Sequence, residues 1–345
     1  MKLKHLFFFT PYYEQNRGNS TTAKRIVAGL TARGIKVTVF PYEEASWDEE
    51  WAKRFAAADL FHILHLRRFA EWRKYKEGLA FLQPYVLTSG GTDVNEDLKN
   101  REAAKLIQSV TNQSCAITVF SEDGRSKLLH AYPELAERIY VIPQSAWLPD
   151  PSHEPQIPIH PGWPKLLLPA GLRPVKDVFY IWDELTRMRE KWPELSFTII
   201  GAALDDKLLA EVEWRRQKYD WFHYIQEVPL ACMRSIYEQF DLVLNLSKSE
   251  GQPMALLEAM ALGKPVVARR NPGNESILTD RETGLLFEQP EQFPALVEQL
   301  LEDDGWRRQL SERARQFVET KHSLEQEIKA FLAVYDHCLQ RADRK

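Results

Sequence analysis

Short apolar runs alternate with helical patterns along the whole chain, and the runs read as strands. In the first half they are His5–Thr10, Lys36–Phe40, Leu60–Leu64, Tyr85–Thr88, Ala116–Phe120 and Ile139–Ile142. In the second half they are Lys165–Pro169, Ser196–Ile200, Phe222–Gln226, Leu242–Leu246, Pro265–Ala268 and Leu285–Phe287. They lack the strict alternation of half-exposed strands, so both faces are expected to be covered, as in a parallel sheet with crossover helices. Between the halves, the prolines from Pro149 to Pro164 predict a stiff, extended linker. The expected organisation is α/β: two Rossmann-like domains with parallel sheets facing a central cleft. They would span residues 1–150 and 165–322, with a linker at 151–164. The terminal segment 323–345 carries helix Leu324–Leu339. Ligands of open α/β sheets bind beyond the carboxyl ends of the strands, so the loops after the strands carry the chemistry.

The loop after Leu242–Leu246 is the most informative. Strand, polar loop, helix, glycine stop and second strand run from Leu242 to Ala268, with Glu250 in the loop and Glu258 inside the helix. Pro253 suits the first helical position, where the N–H it lacks has no intrahelical partner. Amides around Gly251, Gln252, Met254 and Ala255 then open a helix at a strand end, an arrangement that seats anions. A diphosphate seat flanked by two carboxylates suits a nucleotide-sugar.

This unit, with its continuation Glu258-Ala-Met-Ala-Leu-Gly263-Lys-Pro265-Val-Val-Ala268, resembles the E-x7-E signature of the retaining glycosyltransferases of family 4, which have the GT-B fold. The resemblance implies that Glu250 contacts donor-sugar hydroxyls near the reacting carbon, that Glu258 binds the nucleotide ribose, and that helix Leu324–Leu339 can cross back onto the first domain. It implies a nucleoside-diphosphate sugar as co-substrate, most often a UDP-sugar, with no metal and no other cofactor required. Gln252-Pro253 stands where the family has an aromatic residue and a glycine, which shifts phosphate contacts to neighbouring amides. The competing reading makes Glu258 a solvated helix residue.

After Lys165–Pro169 comes Gly171-Leu-Arg173-Pro-Val-Lys176-Asp177. The resemblance gives Arg173 and Lys176 the leaving diphosphate, where cations stabilise charge as the sugar bond breaks. The other reading is a surface turn with two solvated cations. After Tyr85–Thr88, the Gly90-Gly91 turn brings backbone close to a ligand, and Thr92 and Asp93 offer contacts to sugar or acceptor. Asp93 also fits as the N-cap of a helix expected at Leu98–Thr111. The loops at Gly171–Asp177 and Thr88–Asp97 are also similar to those of bacterial selenosugar synthases.

Gly18 lies in the loop after the first strand, which in the family touches donor phosphate or acceptor. The plainer reading is a connection capped by Asn19 or Ser20. His65 follows the third strand where family members carry a histidine. Gly273 and Asn274 follow the strand ending at Ala268 and would line the donor pocket, with Glu275 nearby. Asp205-Asp206 reads as a helix start, since acidic residues favour that end of the dipole.

Composition narrows the partners. The formal net charge of −4 leaves no global basic field for nucleic acid. No apolar run approaches the roughly 20 residues of a membrane span. The segment Arg67–Lys76 is basic and aromatic and would suit an anionic membrane or a phosphorylated acceptor. Glu71 and Glu77 interrupt it, so a solvated face with aromatics turned inward is favoured over peripheral membrane contact. Three scattered cysteines show neither metal spacing nor a disulfide framework, as expected in the cytoplasm. The sequence thus reads as a metal-independent retaining glycosyltransferase acting on an unidentified acceptor. A non-catalytic sugar-nucleotide scaffold, or an epimerase or hydrolase on the same fold, stays open as an alternative.

Overall fold

In the computed structural model, residues 2–15, 17–76, 79–149 and 157–342 are described. Asn16, Glu77 and the linker residues 150–156 lie outside them. The chain divides into two compact units, Met1–Ser145 with Ser323–Lys345, and Ala146–His322.

The first unit is built on β1 (His5–Thr10), β2 (Lys36–Pro41), β3 (Leu60–Leu64), β4 (Tyr85–Thr88), β5 (Ala116–Val119) and β6 (Ile139–Val141). All neighbours are parallel, in the order β2-β1-β3-β4-β5-β6. Every residue of β1 is buried. Phe7 and Phe9 pack with Phe40, Phe55, Phe61 and Phe69 on one face, while Leu6 and Phe8 meet Ile26, Phe331 and Tyr335 on the other. This is the two-residue period of a strand covered on both sides.

The helix Leu324–Ala342 supplies much of that second cover, packing on helix Gly18–Thr31. The contact contains a buried ion pair. Arg25 donates through Nε and Nη2 to the Glu327 carboxylate at 2.8 and 2.9 Å, and both side chains are inaccessible to solvent. Ser145 donates to the same carboxylate through its amide, at 3.1 Å, and its hydroxyl. Nearby, His62 shares hydrogen bonds with Tyr335 and with Thr88 Oγ1.

The second unit is built on β7 (Lys165–Pro169), β8 (Ser196–Ile200), β9 (Phe222–Ile225), β10 (Leu242–Asn245), β11 (Val266–Arg269) and β12 (Leu285–Phe287). It is again fully parallel, in the order β12-β11-β10-β7-β8-β9. Leu166 and Leu168 face one core and Leu167 the other. Ile157 and Ile159, in the described part of the proline-rich stretch, pack against the second of these cores.

Strand order reverses between β1 and β3 in the first unit and between β7 and β10 in the second. At such a reversal the flanking crossovers go to opposite faces and leave a crevice at the carboxyl ends. The crevice of the first unit is flanked by the loops after Thr10 and Leu64, and that of the second by the loops after Pro169 and Asn245. Several helix starts differ from expectation. Helix Gly18–Thr31 begins after Arg17 with no side-chain cap, and Ser20 donates instead to Tyr13 O at 2.8 Å. The helix expected at Leu98–Thr111 starts at Arg101, because Asn100 accepts from the amides of Glu102 and Ala103 and stops a short 3-10 turn. Asp93 therefore does not cap it. Asp205 does cap its helix, accepting from Lys207 and Leu208. Phe69 and Trp72 of the basic segment turn into the core, as the simpler reading expected, whereas Tyr75 is 77% exposed.

Removing one partner of a buried ion pair leaves the other charge stranded, so Glu327→Ala is expected to cost about 3–5 kcal/mol of unfolding free energy. The Arg25→Met, Glu327→Leu double variant should lose clearly less in the same denaturant titration. Acid stability gives a second check. Burial pushes the His62 imidazole down to about 3. The unfolded chain then takes up a proton that the folded chain refuses. Stability is complete above the ordinary value near 6.5 and falls as pH drops towards 3, by about 1.4 kcal/mol per unit from this group. Replacing His62 with Phe should flatten that slope.

Candidate active site

At the reversal of the second unit, the two flanking loops are tied by a backbone bond from Lys248 N to Val175 O at 2.9 Å. This brings Lys176 against Glu250, Nζ to Oε1 at 2.5 Å, although 74 residues separate them. The same oxygen accepts from Ser247 Oγ at 2.6 Å and Asn245 Nδ2 at 3.0 Å. Burial alone would raise the Glu250 carboxyl. The Lys176 charge and the bonds from Lys176, Ser247 and Asn245 outweigh it and hold the group ionised below its ordinary value.

Backbone contact fixes where this carboxylate stands. A side chain at Gly273 would meet Glu250 O at 2.4 Å, so only glycine lets the loop after β11 pass so close. Asn271 caps the short helix Pro272–Glu275 by accepting from Asn274 N, and its Nδ2 donates to Ser247 O at 2.9 Å. Asn274 is fully buried and donates to Arg269 O at 2.7 Å and Asn245 Oδ1 at 3.3 Å. Gly273 and Asn274 thus fasten the Glu250 loop to the end of β11.

Helix Met254–Ala261 begins one residue later than expected, with Pro253 in extended conformation as its N-cap. The ring of a proline fixes φ but leaves ψ free to be extended, and here Leu257 N reaches back to Pro253 O at 3.3 Å. Met254 and Ala255 therefore form the first turn, where N–H groups point out of the helix. Gln252 and Pro253 are buried, and Gly251 is half-buried. Glu258 is buried at 5% exposure, which excludes the solvated reading, and its Oε2 accepts from Tyr237 Oη at 2.8 Å. Arg173 is exposed in the turn just before Lys176. Asp177 adopts a left-handed conformation and pairs with Arg269 at 2.9 Å and Lys248 at 3.4 Å.

The first unit gathers its own group at the end of β3. His65 has a φ of 74°, a conformation costly for a residue with a side chain and a marker of functional loops. Gly90 permits it, since a Cβ there would meet the His65 ring at 2.6 Å and Asn19 at 3.2 Å. His65 Nε2 lies 3.3 Å from Thr92 Oγ1, while Nδ1 stands 3.5 Å from Asp93 Oδ2 without hydrogen-bond geometry. Burial lowers the imidazole against the opposing pull of Asp93, leaving it neutral. Asp93 is fully buried. Its carboxylate accepts from the amides of Leu66, Gly90 and Val94 and from Ser89 Oγ, at 2.6 to 3.0 Å. Its work is to clamp the two loops and set His65, and Thr92 is the residue with a group turned to the ring. Gly91 starts the helix Thr92–Asn95, and Gly18 opens the helix after β1, exposed.

Sequence reading singled out Glu250, Glu258 and Lys176 but missed Asn245, Ser247, Tyr237, Lys248 and Arg269. Asn245 had a signal, as a polar residue inside a buried apolar run. Tyr237, 21 residues before Glu258 and on another helix, had none.

Among the described residues no helix is long and apolar enough to cross a membrane. The family model described as glycosyl transferases group 1 matches residues 151–317. The fold is similar to that of HepE from Anabaena, solved in complex with UDP and glucose, at a TM-score of 0.73 and 15% identity over 96% of this chain and 99% of that one. It is likewise similar to sucrose-phosphate synthase from Thermosynechococcus elongatus, at a TM-score of 0.75 and 14% identity over 98% and 100% of the two chains. In sequence, the chain is 31% identical over 324 residues to glycosyltransferase 1 domain-containing protein 1 of Xenopus tropicalis, covering 90% of this chain and 91% of that protein. A relationship of that extent, on an α/β fold of two parallel sheets, places the chain in the glycosyltransferase group 1 family.

Proposed function

We propose that the protein is a retaining, metal-independent glycosyltransferase that takes a sugar from a nucleoside diphosphate, with UDP as the favoured nucleotide. The observation that carries the reading is the pairing of Lys176 with Glu250 at the strand reversal of the second unit. A cation and a carboxylate held together there suit a diphosphate and a sugar hydroxyl side by side. HepE, solved in complex with UDP and glucose, supports the choice of donor.

In this reading, Lys176, with Arg173, takes the developing charge of the leaving diphosphate, assisted by the first-turn amides of Met254 and Ala255. Gly251, Gln252 and Pro253 shape the loop that holds it. Glu250, freed from Lys176 by the competing phosphate, orients the sugar through its hydroxyls. Glu258 binds the ribose hydroxyls while Tyr237 holds the carboxylate in place. Gly273 and Asn274 keep the Glu250 loop in register. Gly18, His65, Gly90, Gly91 and Thr92 serve the acceptor side or the transferred sugar, with Asp93 as the clamp that positions them. The bond from the anomeric carbon to the acceptor forms on the face from which the phosphate departs. The acceptor proton passes to the leaving phosphate oxygen, so configuration is retained and no protein nucleophile is needed.

Thermal unfolding with UDP-, GDP- and ADP-sugars tests the donor first. A ligand at about 100 times its dissociation constant adds roughly 2.7 kcal/mol, and UDP-sugars are expected to give the shift. Glu258→Ala should weaken the nucleotide by about tenfold or more, the worth of a hydrogen bond to a charged group. Lys176→Ala should lower turnover by roughly 10²–10³ while changing nucleotide affinity far less. A protein that binds UDP-sugars tightly but never releases UDP, with any acceptor tried, would instead be a scaffold. Product anomers resolved by NMR, in buffer with and without a chelator, check retention and the absence of a metal requirement: inverted product or chelator-sensitive turnover would overturn either part.

A further inference from the structure

The second unit carries a cavity of about 540 Å³ away from the loops just described. Phe240 and Lys264 line it, and these residues lead into β10 and β11, so the cavity lies at the amino ends of the strands whose carboxyl ends bear Asn245 and Arg269. Its other walls are Trp163 and one side of helix Asp304–Lys321, through Arg307, Arg308 and Ser311.

Three features set this cavity apart from an ordinary surface groove. Trp163 is 47% exposed, although its amide is fixed to Glu194 O at 2.9 Å. The backbone is anchored there and the indole is left uncovered, which offers a stacking face. Ser311 is buried, and its hydroxyl, closed to solvent, has no hydrogen-bond partner among the described residues, so it gains one if a ligand parts this wall. Arg308 is exposed and has no carboxylate partner among the described residues. The acids in the lining are already engaged. Asp241 accepts from Lys165 N at 2.7 Å, and Glu312 pairs with Arg315 at 2.8 Å. Arg307 is held by Asp304 and by Leu300 O, which fixes its guanidinium at the rim. The volume falls within the roughly 300–1,000 Å³ of small-molecule sites.

We infer that this cavity is a second ligand site, for a small organic anion that carries a planar ring, with the ring on Trp163 and the anionic group on Arg308. An arginine without a carboxylate and an aromatic face on the walls of one cavity bind such a molecule by charge and stacking together. The site is distinct from the proposed donor site, at the opposite ends of β10 and β11.

Anilinonaphthalene sulfonate, a fluorescent ring-bearing anion, is the probe. It is titrated into the full chain with UDP at saturation, alongside Trp163→Ala and Arg308→Glu. The expected result is binding that persists with UDP present and weakens by about tenfold in each variant, the scale of one cation–π or charged contact. Each variant keeps the parent's thermal midpoint and UDP shift, which separates loss of the site from loss of the fold. Complete displacement by UDP, or affinity unchanged in both variants, overturns the proposal. Displacement by inorganic sulfate with Trp163→Ala silent overturns the ring and leaves a bare anion site. If UDP does not bind, the donor reading fails by itself, and the two substitutions still decide this cavity.

Discussion

Parallel strands cannot be joined by hairpins, and this constraint shapes both units. Each strand needs a crossover that covers a face of the sheet. The polar backbone of every connection is then driven to the strand ends, and where strand order reverses, two of these ends open side by side. In the second unit the reversal sets β10 beside β7. That adjacency alone puts Lys176 against Glu250. Moving either strand would part them.

Three carboxylates, the buried Glu327 and Asp93 and the partly buried Glu250, answer the cost of burial in different ways. Glu327 takes its donors from Arg25 and Ser145 inside a packed helix contact, and no other ligand can compete there. Asp93 is satisfied almost wholly by nearby amides, which makes it a fastener. Glu250 leans on a lysine from a separate loop, and a phosphate can compete for that lysine. Burial costs the same in kind for all three, but only the last can exchange its partner without unfolding its surroundings.

Every strand was legible in the sequence to within a residue or so, because most are buried on both faces and write themselves as apolar runs; β2 and β9, at sheet edges, are only partly buried. Glu250 and Glu258 were legible because a strand, a loop and a helix lie contiguous around them. Helix starts, Asp205 apart, were not. Asn100, Arg17 and Pro253 each sit a few residues from where local preference pointed, since a cap is decided by which backbone groups the fold leaves unpaired. Tyr237 was hidden for another reason. Its partnership with Glu258 depends on which helices become neighbours, and a local pattern carries no record of that. Asn245 and Ser247 lie within five residues of Glu250, where Asn245 stood out as a polar residue in an apolar run.

The first unit is closed by the end of the chain, and this has a consequence for synthesis. Arg25 and Ser145 emerge from the ribosome long before Glu327. At roughly 5–20 residues per second, about 10–40 s pass between the last strands of the first sheet and the helix that covers them. During that interval Leu6, Phe8 and Leu64 have no lid from Phe331 and Tyr335, and Arg25 has no counter-ion. The second unit, uninterrupted in sequence, can complete itself first. A chain made from its amino end thus finishes its first-made half last, and the nascent sheet is where a chaperone would find apolar surface to hold.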